Sequence, residues 1–246
     1  MHEKKCILSP ICKIAGTEKC NPSCASFVAL HGYSGKGGRI ASANAPADYL
    51  MLNLKKSPVR NEQPKIYATL DKYASTFQRQ FDEDSARIKS IYMWSESPGN
   101  GKTSSAVALM NEWIIAHYLG SLKRGIQPLQ TPAVFLDVNA FQTDYNLATM
   151  TNDESEMAKI RATIQRTQTA PFAVLDDIGV RSASEAFRTY VHAIVNYRTA
   201  NGLPTVFTSN LPIEEMAVVF DARLYDRMRD MCAVLHFEGE SKRGRR

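Results

Sequence analysis

Nine residues, Ser95-Glu96-Ser97-Pro98-Gly99-Asn100-Gly101-Lys102-Thr103, constrain this chain more than any other stretch. The apolar run Ile91-Tyr92-Met93-Trp94 before them reads as a buried strand, and Ser104 to Leu119 after them reads as a helix. A strand, a glycine-bearing turn and Lys-Thr at a helix start form the context of a phosphate-binding loop. Backbone N–H groups around Gly99 to Thr103 are placed to form an anion-binding nest at the positive helix end. The nucleotide-binding set is Ser97, Pro98, Gly99, Asn100, Gly101, Lys102, Thr103 and Ser104. Within it, Lys102 is suited to reach the β- and γ-phosphates of ATP, and the Thr103 hydroxyl to hold Mg²⁺. One position departs from G-x-x-x-x-G-K-[ST]: its first glycine is Glu96, which begins the turn and lies outside the closest approach to phosphate.

The partner that such a loop needs lies downstream. Phe172-Ala173-Val174-Leu175-Asp176-Asp177 reads as a short strand ending in paired acids. Asp176 is expected to share Mg²⁺ with Thr103, and Asp177 to act as general base on the attacking water. Thr205-Val206-Phe207-Thr208 is a further strand, followed by Ser209-Asn210. Asn210 can orient the lytic water; a Ser-Asn pair at a strand end is also an ordinary turn signal. Arg223 and Arg227 are four apart and so share a helix face. They can meet a transferring phosphoryl group from a neighbouring subunit, or pair with Asp221 and Asp226 on a solvated helix.

Between these motifs strands and helices alternate. Strands are expected at 133–138 and 233–237, and helices at 139–169, 184–200, 212–219 and 221–229. Ile66, Leu70, Tyr73, Phe77 and Phe81 mark an amphipathic lead-in helix. The fold class is therefore α/β, a parallel sheet flanked by helices.

Residues 1–65 read differently. They hold ten basic and four acidic residues, a net +6, while the whole chain carries +5 and the remainder sums to −1. The last five residues, 242–246, add four positive charges. Basic ends suit nucleic acid or an acidic protein surface, or serve solubility. No apolar run is long enough to cross a membrane, and the first residues lack a signal-peptide core, so a reducing cytoplasm is the expected location. Cysteines then point to metal rather than disulfides. Cys6, Cys12, Cys20 and Cys24 can close a tetrahedral zinc site, with His31 as a possible substitute; free thiols or an iron–sulfur centre are the alternatives. Gly32 to Arg39 is a basic, glycine-rich turn on this module. Loop punctuation from Ala41 to Pro64 reads as module edge and linker, dividing the chain into 1–65 and 66–246.

Three segments, Leu175 to Val180, Leu203 to Asn210 and Ala222 to Met228, together with the phosphate loop, resemble the AAA+ replicative-helicase loaders of the DnaC/DnaI type in motif order and spacing over residues 66–240. The resemblance implies an AAA+ ATPase in which Lys102 and Thr103 are Walker A, Asp176 and Asp177 are Walker B, and Asn210 is sensor 1. Arg227 matches the arginine finger and Arg223 a second basic position near the γ-phosphate. It implies self-association through the ATP interface, no helical lid, and a cysteine-rich module that grips a hexameric replicative helicase. It also offers Arg181 and Ser184 as contacts to single-stranded DNA. The IstB type of transposition helper ATPase shares these core motifs, and a zinc-containing adaptor that binds nucleotide without turnover is the third reading.

Overall fold

The computed structural model describes residues 2–151, 153–179, 184–239 and 241. Five strands, β1 (Ser90–Trp94), β2 (Ala133–Asp137), β3 (Phe172–Asp176), β4 (Thr205–Ser209) and β5 (Cys232–His236), form one sheet in the order β2-β3-β4-β1-β5. Every neighbouring pair is parallel, with Ile91 opposite Val206, Leu175 opposite Phe207 and Tyr92 opposite Val234.

Parallel strands must be covered on both faces, and the alternation of side chains shows how. Ile91, Met93, Phe135, Phe172, Val174 and Val206 enter one core. Their neighbours Tyr92, Leu136, Ala173, Leu175 and Phe207 enter the other. Helices α1 (Ala25–His31), α2 (Gly38–Ser42), α3 (Pro64–Ser75) and α4 (Lys102–Lys123) serve the first face. The second is covered by α5 (Val138–Thr151), α6 (Glu154–Thr169), α7 (Glu185–Ala200), α8 (Met216–Val219) and α9 (Ala222–Met231). The stretch expected as one helix over 139–169 is two, because the Asp153 side chain accepts the Ser155 and Glu156 amides and starts α6 afresh. The lead-in helix ends at Ser75 and continues to Phe81 as a 3₁₀ helix.

Residues 2–65 are built into the first core. Ile7, Leu8, Leu30, Ile40, Leu54 and Val59 are buried in the same cluster as Ile91 and Phe172. Packing is continuous across residue 65, where the sequence places a module edge. The buried Arg39 guanidinium donates to the carbonyls of Ala29, Pro128 and Leu129. Phe135 of β2 donates its amide to the Ala43 carbonyl at 2.7 Å, so this segment covers an edge strand that would otherwise be open. The stretch expected as linker lies along α4, where Asn111 donates to the carbonyls of Tyr49, Leu50 and Leu52. The Tyr67 hydroxyl bridges Ser57 and Ser105.

The zinc site expected of Cys6, Cys12, Cys20 and Cys24 is not assembled. Among the described residues no group of three or more His, Cys, Asp or Glu side chains is arranged to hold a metal ion. Burial, followed by the nearby Cys12, Cys24 and Cys20, raises the Cys6 thiol above its usual range. His31 Nε2 accepts the Ile7 amide at 3.0 Å and its ring packs against Phe27, so that nitrogen already has a structural partner. Burial pushes its pKa down to about 4. The segment that carries these cysteines is packed into the core on the first face of the sheet.

Candidate nucleotide site

The site forms where β1, β3 and β4 end, which in an open parallel sheet is where ligands bind. The turn from β1 into α4 carries the phosphate loop. Gly101 caps α4 with φ 98°, a left-handed conformation that side chains disfavour. A Cβ there would also lie 2.6 Å from Val59, so only glycine fits. Glu96 is exposed, consistent with a place outside the closest approach. Asn100 is buried, and its amide donates to Ser95 Oγ and, at 3.2 Å, to the Phe237 carbonyl. That pins the loop to the chain just past β5. Lys102 Nζ lies 3.3 Å from the Ser97 carbonyl and 3.4 Å from the Ser95 carbonyl and Asn100 Oδ1. Ser104 turns inward and donates to the Gly101 carbonyl at 3.0 Å.

Thr103 and Asp176 are brought together from 73 residues apart. Thr103 Oγ1 donates to Asp176 Oδ2 at 3.1 Å, and Thr208 Oγ1 donates to Oδ1 at 2.6 Å. Asp176 is 6% exposed, and desolvation raises its pKa to about 6 despite both hydrogen bonds. The donor set fits Mg²⁺. A buried carboxylate faces a hydroxyl, and Mg²⁺ in such sites takes few protein ligands beside phosphate and water.

Asp177 adopts φ 56°, which turns the chain as it leaves β3. Its amide donates to Thr208 Oγ1 at 2.9 Å, and its Oδ2 accepts from Asn139 Nδ2 at 3.4 Å. Asn210 is exposed directly after β4, and the neighbouring Ser209 carbonyl accepts the Ser95 amide at 3.2 Å. Asn210 is thus held at the level where the phosphate loop begins. On α9, Leu224 and Met228 are buried while Arg223 and Arg227 are exposed. Among the described residues no ion pair joins the side chain of either arginine to Asp221 or Asp226. Asp221 caps Leu224 and meets His192 at 3.0 Å, Asp226 meets Arg229 at 3.3 Å, and Arg227 donates to Asn196.

Ser184 is the N-cap of α7, accepting the Phe187 amide at 3.2 Å, so its hydroxyl has a structural task. Arg181 lies outside the described residues, as does the basic run 242–246.

Sequence reasoning missed Thr208, which holds both acids of the site, and Asn139, which reaches Asp177. The parallel register carries the signal for the first: Leu175 opposite Phe207 puts Thr208 level with Asp176. No local pattern marks the second.

No family model matches the chain. The replicative helicase loader DnaC of Escherichia coli K12 is 26% identical over 151 residues, 61% of this chain and 55% of that protein. The match thus spans about half the length of this curated relative. The crystal structure of DnaI superposes with TM-score 0.55 at 22% identity, covering 80% of this chain and 94% of that one. That of the DnaC helicase loader gives 0.53 at 20%, covering 78% and 100%. Described residues include no helix long and apolar enough to cross a membrane. In sequence the chain is similar to the replicative helicase loader DnaC, and in fold to both DnaC and DnaI.

Proposed function

We propose that this protein is a cytoplasmic AAA+ ATPase that binds a hexameric replicative helicase and places it on single-stranded DNA. The observation that carries the reading is the meeting of Thr103 and Asp176 at the mouth of a parallel sheet, in a chain similar to a helicase loader. Residues 97–104 cradle the phosphates of ATP, and Lys102 leaves the loop carbonyls for the β- and γ-phosphates. Thr103 and Asp176 hold Mg²⁺, which supplies charge neutralisation on the phosphates when bound. Asp177 takes a proton from a water as its oxygen bonds to the γ-phosphorus, and the bond to the β–γ bridging oxygen breaks to release ADP. Asn210 orients that water. Arg227, with Arg223 beside it, comes from a neighbouring subunit and stabilises the charge on the transferred group. Arg181 is retained as a contact to the strand.

Lys102→Ala provides the test. ATP hydrolysis is measured with single-stranded DNA and helicase present, and helicase capture is measured by pull-down from the native host. Wild-type protein is expected to hydrolyse ATP and recover helicase, and Lys102→Ala to lose about 10³-fold in rate while still folding. Recovery of a transposase instead of a helicase defeats the loader reading. Hydrolysis equal in both proteins defeats the site.

A further inference from the structure

The turn between α1 and α2 has no part in the nucleotide site, yet it is built to a fixed shape. Gly37 donates its amide to the His31 carbonyl at 2.7 Å, and Gly35 donates to the Gly32 carbonyl at 3.1 Å. Gly38 has φ 65°, and a Cβ on it would lie 2.5 Å from the Leu30 carbonyl carbon. No other residue fits there. Both ends are anchored, α1 through buried Phe27 and Leu30, and α2 through the Arg39 contacts to Pro128 and Leu129.

This rigid turn displays Tyr33-Ser34-Gly35-Lys36, all exposed, with Tyr33 84% exposed. A large aromatic ring in water on a pinned backbone has already lost the entropy that a mobile loop would lose on binding. Its surroundings are basic. Gly35 approaches the Phe27 ring, and the His2 ring meets that same ring at 4.1 Å. The exposed Lys4 and Lys5 follow His2 within the same short 3₁₀ helix, and the exposed Lys36 follows Gly35 directly. Residues 1–40 hold five exposed lysines against Glu3 and Glu18.

We propose that this turn is a contact for single-stranded nucleic acid, in which a base stacks on Tyr33 while Lys36, Lys4 and Lys5 meet the phosphates. Stacking on an isolated aromatic within a positive field is how strands are held without sequence preference. A protein hot spot would need apolar neighbours to exclude water around the ring. Tyr33 has Gly32, Ser34, Gly35 and Lys36 as its chain neighbours instead. The inference shares with the loader reading only the expectation of a bound strand. It needs neither ATP nor the strand ends of the sheet.

The test uses the full chain and fluorescein-labelled oligo-dT and oligo-rU, followed by anisotropy at several salt concentrations, with duplex DNA as control. Tyr33→Ala is expected to bind at least one single strand about tenfold more weakly or worse, with little change on duplex. Tyr33→Trp is expected to retain affinity and to show indole quenching as the strand binds. Lys36→Ala should lower the magnitude of the salt slope by about 0.7. The two oligonucleotides show whether the strand is DNA, RNA or either. Lys102→Ala should leave all of this unchanged, which separates failure here from failure of the nucleotide site. If Tyr33→Ala binds both strands like the wild type, the turn is assigned to a protein contact and the proposal is overturned. Absence of strand binding by the wild-type protein also overturns it.

Discussion

At the scale of single residues, stability and chemistry pull against each other at Asp176. Its carboxylate is buried against Thr103 and Thr208, and burial raises its pKa from 3.8 to about 6. Because the folded value lies above the unfolded one, the group favours the fold fully below about pH 3.8. That contribution is lost as pH rises toward 6 and the folded carboxyl ionises. At neutral pH the fold therefore holds a charge it would be more stable without, on the order of 2–3 kcal/mol. Asp176→Asn removes the charge and keeps the shape. It is expected to raise the stability of the nucleotide-free protein at pH 7.5 by about 1–3 kcal/mol, a gain that shrinks toward pH 4 as the wild-type carboxyl becomes neutral. Urea unfolding at several pH values reads this directly, and a destabilised variant would count against it. The same variant should lose Mg²⁺-dependent nucleotide binding, since an amide is a poor ligand for that ion.

At the scale of elements, Arg198 of α7 joins parts that no local pattern connects. It is 0% exposed, donates to the carbonyls of Thr167, Gln168, Ala170 and Pro204, and bonds Thr205 Oγ1 at 2.8 Å. The end of α6, the end of α7 and the start of β4 thus meet on one guanidinium, whose pKa burial lowers to about 9. Arg198→Met fills similar space but leaves those carbonyls without their donor. It is expected to cost about 3 kcal/mol or more, seen as a lower urea midpoint with an unchanged slope. Loss below about 1 kcal/mol would mean that water replaces the donor. Such a peg is invisible in sequence, because its partners lie up to 31 residues away. The strands were legible because apolar runs such as Phe172–Leu175 are buried on both faces, and α4 because it follows the phosphate loop. Residues 1–65 were not. Ile7-Leu8 and Phe27 to Leu30 are short apolar runs, Ile40 and Val59 stand singly, and no period is sustained across the segment. Each packs against residues that come from the sheet and α4, far along the chain. The cysteines, clustered in sequence, stood out more and carried less. At the nucleotide site the loop and the acids were readable as motifs, whereas Thr208 acts from the adjacent strand and Asn139 from the start of α5.

At the scale of the whole molecule, the question is whether one subunit contains everything its site needs. Asp176, Thr103, Thr208 and the phosphate loop meet within the chain. Arg223 and Arg227 stand on the exposed face of α9, whose other face is anchored by Leu224 and Met228. An amphipathic helix held this way offers its cations outward, where a second copy can meet them. Arg227→Ala should then reduce ATP hydrolysis by about 10³-fold while leaving nucleotide binding intact, because the charge it meets develops in the transition state. Mixing decides whether the arginine acts across subunits. Lys102→Ala retains the arginine but not the loop; Arg227→Ala retains the loop but not the arginine. In an equal mixture about one interface in four pairs an intact loop with an intact arginine, so activity should return to about a quarter of the wild-type rate. If Arg227 serves the site of its own chain, every subunit in the mixture lacks one of the two groups, and no activity returns at any ratio.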